Sequence, residues 1–407
     1  MKTKKLGKPE ICLFLILFLS ASFTVTNDLI SSTVTIALWV MTAAFLLLSF
    51  QKMQSDVMVI FILLLASFAL SSVINGENMK NMMSIMFSFI VAFFFANIYD
   101  FETFQRSFIR VMKWICIISL IGFAAYSIIP PLKDILVVEN KGGVAYSNLF
   151  IYANSVSSNR NLGMFWEPGA FQTFINIAFL FEIIQEKPNI KTIVIFIATI
   201  ITTFSTTGYI AMAMILFLVF LHKNNMKNES LKTFIAFMFI ILAILVYFYQ
   251  DFLLDTTKSS VFGKLVTFFT RKQFSATRGS SSATVRFFAI TKPLDAFLDR
   301  PLFGWGYQGL IDRLREFTLS MNTCTFVNWL AVYGATFGIT MILGIIRLSQ
   351  KVGKRMLAIV LVFLIFFVVT MSENYVNNAF FFLLVLYGFS KEPFQGLKYD
   401  HHSNKRI

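Results

Sequence analysis

Charge is scarce in this chain. Asp, Glu, Lys and Arg make up 14% of it, against 57% apolar residues, a balance far outside that of soluble globular domains. Histidine and cysteine are scarcer still, with three of each. Cys12, Cys116 and Cys324 show no CxxC spacing, and they lie inside or beside apolar runs. That excludes a disulfide framework and a zinc site. The apolar runs also lack period-2 alternation, which argues against an outer-membrane barrel. No internal repeat and no separable soluble domain is visible.

What the chain has instead is fifty Phe and a succession of apolar runs. They fall near 11–27, 33–50, 56–75, 80–98, 113–130, 168–184, 191–204, 208–222, 232–250, 324–346, 356–370 and 377–390. The pattern predicts an all-α, polytopic integral membrane protein of about twelve transmembrane helices, a single domain over 1–407. The first run follows MKTKKLGKPE like a signal peptide, but no small-residue cleavage site ends it. It therefore reads as a retained first span.

A net charge of +14 would point to nucleic acid in a soluble protein. Here it reads as topology, because inward loops collect Lys and Arg. With both termini cytoplasmic, the short outward connections 28–32, 75–80, 205–207 and 371–376 hold only Lys80. Two long loops, 131–167 and 251–323, fall on the outer side, the second expected to be partly helical. The polar tail 391–407 is cytoplasmic. The assignment turns on 191–222, where STTG at 205–208 divides the apolar stretch. One long tilted helix would move RLSQKVGKR and the basic tail outside, so a tight hairpin is expected.

This topology puts His222, His401 and His402 on the cytoplasmic side, leaving no histidine for an outer site. No DxD-like carboxylate cluster occurs in the outer loops either, so no metal and no cofactor are expected there. The first long loop ends in NRNLGMFWEPGAF, residues 159–171. Pro168 suits the first turn of the following helix, and Glu167 just ahead suits its positive end. Glu167 thus reads as a helix-start carboxylate or as a base, and Trp166 as an interfacial aromatic. Arg160 either snorkels to headgroups or binds phosphate bidentately.

The second loop carries ten Lys and Arg against six carboxylates, with Arg278, Arg286 and Arg300 among them. Phe287, Ile290, Leu294, Phe297 and Leu298 recur at helical spacing, with a kink expected at Pro293. Such a helix lies at the bilayer surface or against the spans, with Arg286 bordering its stripe and placed for a lipid-linked phosphate. A solvated basic loop drawn to anionic lipid is the plainer alternative. GWG at 304–306 calls for a tight backbone or a close approach. No strand precedes it, so a nucleotide site is not indicated.

Four segments, in this order, resemble the bacterial O-antigen polymerase and O-antigen ligase superfamily. RNLGMFWEPGAF resembles its Arg-x-x-Gly-x-Phe-x-Glu-Pro-Gly segment opening a span, and FSTTGYIAM its Ser-rich hairpin. TVRFFAITKPLDAFLDRPLFGWG resembles the stretch from an arginine to a Pro-Leu-x-Gly-x-Gly turn, and NTCTFVNWLAVYGATFG the segment re-entering the membrane. The resemblance implies a multi-pass protein of the bacterial plasma membrane acting on undecaprenyl-pyrophosphate-linked glycans. It implies catalytic roles for Glu167, Arg160 and Arg286, with pyrophosphate held by Arg160 and Arg286 and supported by Arg278 or Arg300. The implied partners are the lipid-linked oligosaccharide, the bilayer, and a chain-length regulator and flippase of the same pathway. Ligase-type members carry His-Asn where this chain has Thr323-Cys324, which favours a polymerase over a ligase. A flippase or other transporter remains an alternative, although charged or broken spans and short loops on both faces, its usual marks, are missing.

Overall fold

The computed structural model describes residues 7–50, 53–156, 160–221, 282–315, 323–353, 355–371 and 373–391. Fourteen α-helices and one small sheet form their regular structure. The helices up to the first long loop are α1 (Lys8–Ala21), α2 (Phe23–Thr26), α3 (Ser32–Leu47), α4 (Ser55–Ile74), α5 (Met79–Ile98) and α6 (Phe101–Ile128). After it come α7 (Pro168–Ile183), α8 (Ile190–Thr202), α9 (Thr206–Leu221), α10 (Ser282–Asp299) and α11 (Tyr307–Arg315). The last three are α12 (Thr325–Val352), α13 (Met356–Thr370) and α14 (Ala379–Phe389). Each predicted apolar run within the described residues forms a helix; the run 232–250 lies outside them.

The expectation of twelve full spans meets a different pattern. Among the described residues, α4, α5, α6 and α12 are long and apolar enough to cross a membrane. The other apolar helices hold 11 to 16 residues. At about 1.5 Å per residue they fall short of the roughly 30 Å hydrocarbon core. Polar breaks shorten them. Ser22 leaves helical geometry, caps α2 and bridges to Phe165, which ends the first run early. The stretch 191–222 divides as expected, with α8 ending at Thr202, Phe204 at φ 47° and α9 starting at Thr206.

The all-α expectation also needs one correction. Part of the first long loop is an antiparallel meander of β1 (Val137–Glu139), β2 (Ala145–Asn148) and β3 (Ala153–Ser155). Asn140 makes the first turn, its Oδ1 accepting from Gly142 N and Val144 N at 2.9 Å, a local bond that favours a turn over a helix.

Two helices form the centre. α14 is buried on every side, as is α7 from Ala170 to Ile183, the condition of a core helix. Phe89 stacks on Phe382 with centroids 3.8 Å apart, and Phe104 on Tyr387 at 4.8 Å. In lipid such association rests on close packing more than on apolar burial. Accordingly Gly388 crosses Gly344 so closely that a side chain on either would overlap the other helix.

α12 is broken at Gly334 (φ 84°, ψ −179°). The segment Pro301–Gly306 docks into that break. Trp305 N donates to Ala331 O at 2.9 Å, Gly306 N to Val332 O at 2.9 Å, and Ala335 N to Pro301 O at 2.7 Å. The exchange satisfies backbone groups that the interruption frees, which is what irregular backbone at membrane depth requires. Gly304 (φ 65°) faces Val332 O with no room for a Cβ, so GWG is indeed a close backbone approach. On α10 the inward face is Ala289, Pro293 and Ala296. Leu294 and Leu298 are 40% and 67% exposed, facing outward as in a helix at the bilayer surface, while Phe297 packs against the core. The small residues let α10 lie close to α12.

Candidate functional site

One end of the bundle gathers loops from five parts of the chain. Asn378 Nδ2 donates to Ser20 O at 3.0 Å, joining the start of α14 to the end of α1. The Glu77 carboxylate, after α4, accepts the backbone N–H groups of Tyr307 and Gln308 opening α11. Thr325 Oγ1 donates to Glu373 O and accepts from Tyr375 N, both at 3.0 Å. Between these loops lies a cleft of about 450 Å³, lined among others by Trp166, Glu167, Tyr307, Thr323, Glu373 and Asn377.

Its chemistry centres on two carboxyls. Glu167 is the N-cap of α7 by position, yet its side chain makes no cap hydrogen bond; it is exposed and turned to Glu373. The helix-start reading therefore does not describe its carboxylate. Glu373, between α13 and α14, accepts from Trp166 Nε1 at 2.9 Å and is hydrogen-bonded to Glu167. Its Oε1 lies over the first turn of α7, 2.5 Å from where a Cβ on Gly169 would stand; Gly169 is thus the residue that admits it. Burial first, then the neighbouring Glu167 charge, raises the Glu373 pKa well above the usual carboxylate value, while Trp166 and the Arg160 charge oppose this. Two carboxyls in hydrogen-bond contact do not both ionise freely, which disfavours the charged form of Glu373.

Of the arginines chosen from sequence whose side chains are described, Arg160 is the one placed beside this pair. Its charge acts on Glu373 and on Tyr146. It also has structural work: Nε donates to Thr203 O at 3.0 Å and Nη2 to Phe204 O at 3.1 Å, holding the α8–α9 turn. Asn161 continues the zipper, its N donating to Thr202 O at 2.9 Å. Arg286 sits in the first half of α10, the helix that packs on α12; Arg278 lies outside the described residues. Arg300 stacks on Trp305, 4.0 Å from the ring centroid, rather than lining the cleft. Among the described residues no group of three His, Cys, Asp or Glu side chains is arranged to hold a metal ion.

Sequence reasoning missed Glu373. Its signal was present, as the lone charge of 371–376 between two apolar runs, but that connection was weighed only for topology. The asparagines that line the cleft with it, Asn374, Asn377 and Asn378, follow in the same loop.

No curated protein matches the chain. Residues 192–323 match the family described as O-Antigen ligase, a segment running from α8 through α10 and α11 to the cleft residue Thr323. That match, over the large loop and about a third of the chain, supports the resemblance to the O-antigen ligase and polymerase superfamily.

Proposed function

We propose that the protein is an envelope-glycan polymerase that joins repeat units carried on undecaprenyl pyrophosphate, by metal-independent glycosyl transfer at this cleft. A hydroxyl of one glycan attacks the anomeric carbon of another. The carbon–oxygen bond to the pyrophosphate breaks, and the lipid pyrophosphate leaves with the electron pair. The hydroxyl's proton needs an acceptor, and the leaving group needs charge stabilisation.

Glu167 is the acceptor, exposed to the cleft and not committed to capping its helix. Glu373 keeps its own proton and donates it in a hydrogen bond to Glu167, which makes it a positioning residue. Arg160, Arg286 and Arg278 stabilise the pyrophosphate, and Arg300 supports them from its place on Trp305. The observation that carries the reading is the Glu167–Glu373 pair at the start of α7 beside Arg160. Thr323 favours a polymerase: it lines the cleft at the position where ligase-type members carry histidine.

The test uses purified protein in lipid nanodiscs with undecaprenyl-pyrophosphate-linked repeat units. A ladder of lengthened chains is expected, lost in Glu167→Gln. Transfer only when a lipid A core-type acceptor is supplied would mean a ligase. Movement of the lipid-linked unit across the bilayer with no new glycosidic bond would mean a transporter and overturn the reading.

A further inference from the structure

A second chamber adjoins the cleft. It measures about 260 Å³, and its lining includes Phe68, Ser72, Glu77, Asn81, Tyr307 and Tyr333. Tyr307 and Asn377 line both spaces, so the two adjoin at these residues. Among the described residues no Lys or Arg lines the chamber. The one carboxylate among them that does, Glu77, is engaged by the backbone N–H groups at the start of α11. A pyrophosphate finds no counter-charge here, and neither does a cationic ligand.

What the chamber offers is neutral. Aromatic faces come from Phe68, Tyr307 and Tyr333, amides from Asn81 and Asn377, hydroxyls from Ser72 and Ser84. Tyr333 donates its phenolic proton to Asn377 Oδ1, which turns the amide of Asn377 to present its NH₂ as donor. Ser72 is 2% exposed, and its Oγ finds no partner among the described residues. A buried hydroxyl without a partner is costly unless something supplies one. Rings for C–H faces and amides with hydroxyls for O–H groups suit an uncharged sugar.

We infer that this chamber is the acceptor-sugar subsite, holding the neutral sugar residue that carries the attacking hydroxyl. It delivers that hydroxyl past Tyr307 and Asn377 to Glu167. The inference rests on the polymerase reading. It divides the labour: sugar recognition by neutral groups between α4, α5, α11 and α12, and pyrophosphate recognition with Arg160, beside the carboxyl pair.

The test measures binding and turnover separately, on full-length protein in nanodiscs. The probe is the lipid-free repeat-unit oligosaccharide released by mild acid from the host's own envelope glycan. Asn81→Ala and Ser84→Leu line the chamber away from its packed floor. Each should weaken binding of the probe about tenfold, roughly the loss of one or two hydrogen bonds. Each should raise the acceptor KM by a similar factor, with kcat and donor KM little changed. Glu167→Gln should bind the probe normally while losing turnover. Unchanged probe affinity in both chamber variants would overturn the subsite, whatever the turnover. A raised donor KM with an unchanged acceptor KM would overturn it too, assigning the chamber to the donor sugar. Normal probe binding in a wild-type protein that forms no glycosidic bond would sink the polymerase reading and with it the acceptor role, leaving a sugar-binding chamber without the transfer step.

Discussion

Two withdrawn glutamates at opposite ends of the bundle are treated in opposite ways. Glu10, at the start of α1, is 2% exposed. It accepts from Gly7 N at 2.9 Å, Ser107 Oγ at 3.1 Å and the Arg110 guanidinium. Other charges at that end are tied off likewise. Lys351 Nζ donates to Tyr387 O at 2.7 Å and Ser390 Oγ at 2.8 Å, and Lys391 pairs with Asp56 at 3.0 Å. Glu373, at the cleft end, receives one indole N–H and a second carboxyl. The first arrangement neutralises a charge and finishes a structure. The second sets two carboxyls together beside open space, which costs folding energy and disfavours ionisation of Glu373. Pairing of that kind is common at functional sites, and the proposed role of Glu167 builds on it.

Substitutions at the two ends should separate these roles. Glu167→Gln and Arg160→Ala should each lower glycosyl transfer about 100-fold or more, roughly 2.7 kcal/mol of barrier, with protein still in the membrane. Chain-length ladders from cells carrying each variant report it, and normal ladders in both would erase the distinction between the ends. Glu10→Ala should do the reverse. It leaves Arg110 and two hydrogen-bond donors without their acceptor, at a cost of about 2 kcal/mol in stability. A lowered unfolding midpoint in detergent, with turnover per folded molecule unchanged, is expected. Unaltered stability would show that the pair at that end is ornamental.

A smaller effect lies in the pH dependence of stability. The folded protein holds the Glu373 proton more tightly than the unfolded chain does. The contribution is therefore fully present below the ordinary carboxylate value, about 4.3. It is lost as pH rises from there through the raised folded value. Glu373→Gln removes this loss, so its unfolding midpoint should fall less across that window than the wild type's. Parallel midpoints in the two proteins would mean that Glu373 is not held protonated.

The sequence disclosed the helices well, because apolar runs and Pro168 are local signals. It also disclosed GWG, since a bulky residue flanked by glycines speaks for backbone contact before any partner is known. What it could not disclose were long-range meetings. Gly334 looks like any helical glycine until Pro301–Gly306 docks against it. On α10 the spacing showed the apolar stripe but not the face toward α12, where close helix contact selected Ala289 and Ala296. Glu167 was visible from its motif, but its meaning depended on Glu373, about 200 residues later, reaching across the N-terminus of α7.

The most direct test is the pH–rate profile of wild type against Glu373→Gln in nanodiscs, both supplied with saturating lipid-linked repeat units. A glutamine at 373 keeps an acceptor for Trp166 and a donor for Glu167, and it has no proton to lose. The wild type should lose activity as pH rises and Glu373 ionises, while the variant holds its rate beyond that point. Alkaline limbs that coincide, or a variant inactive at every pH, would contradict the carboxyl pair as the centre of the chemistry.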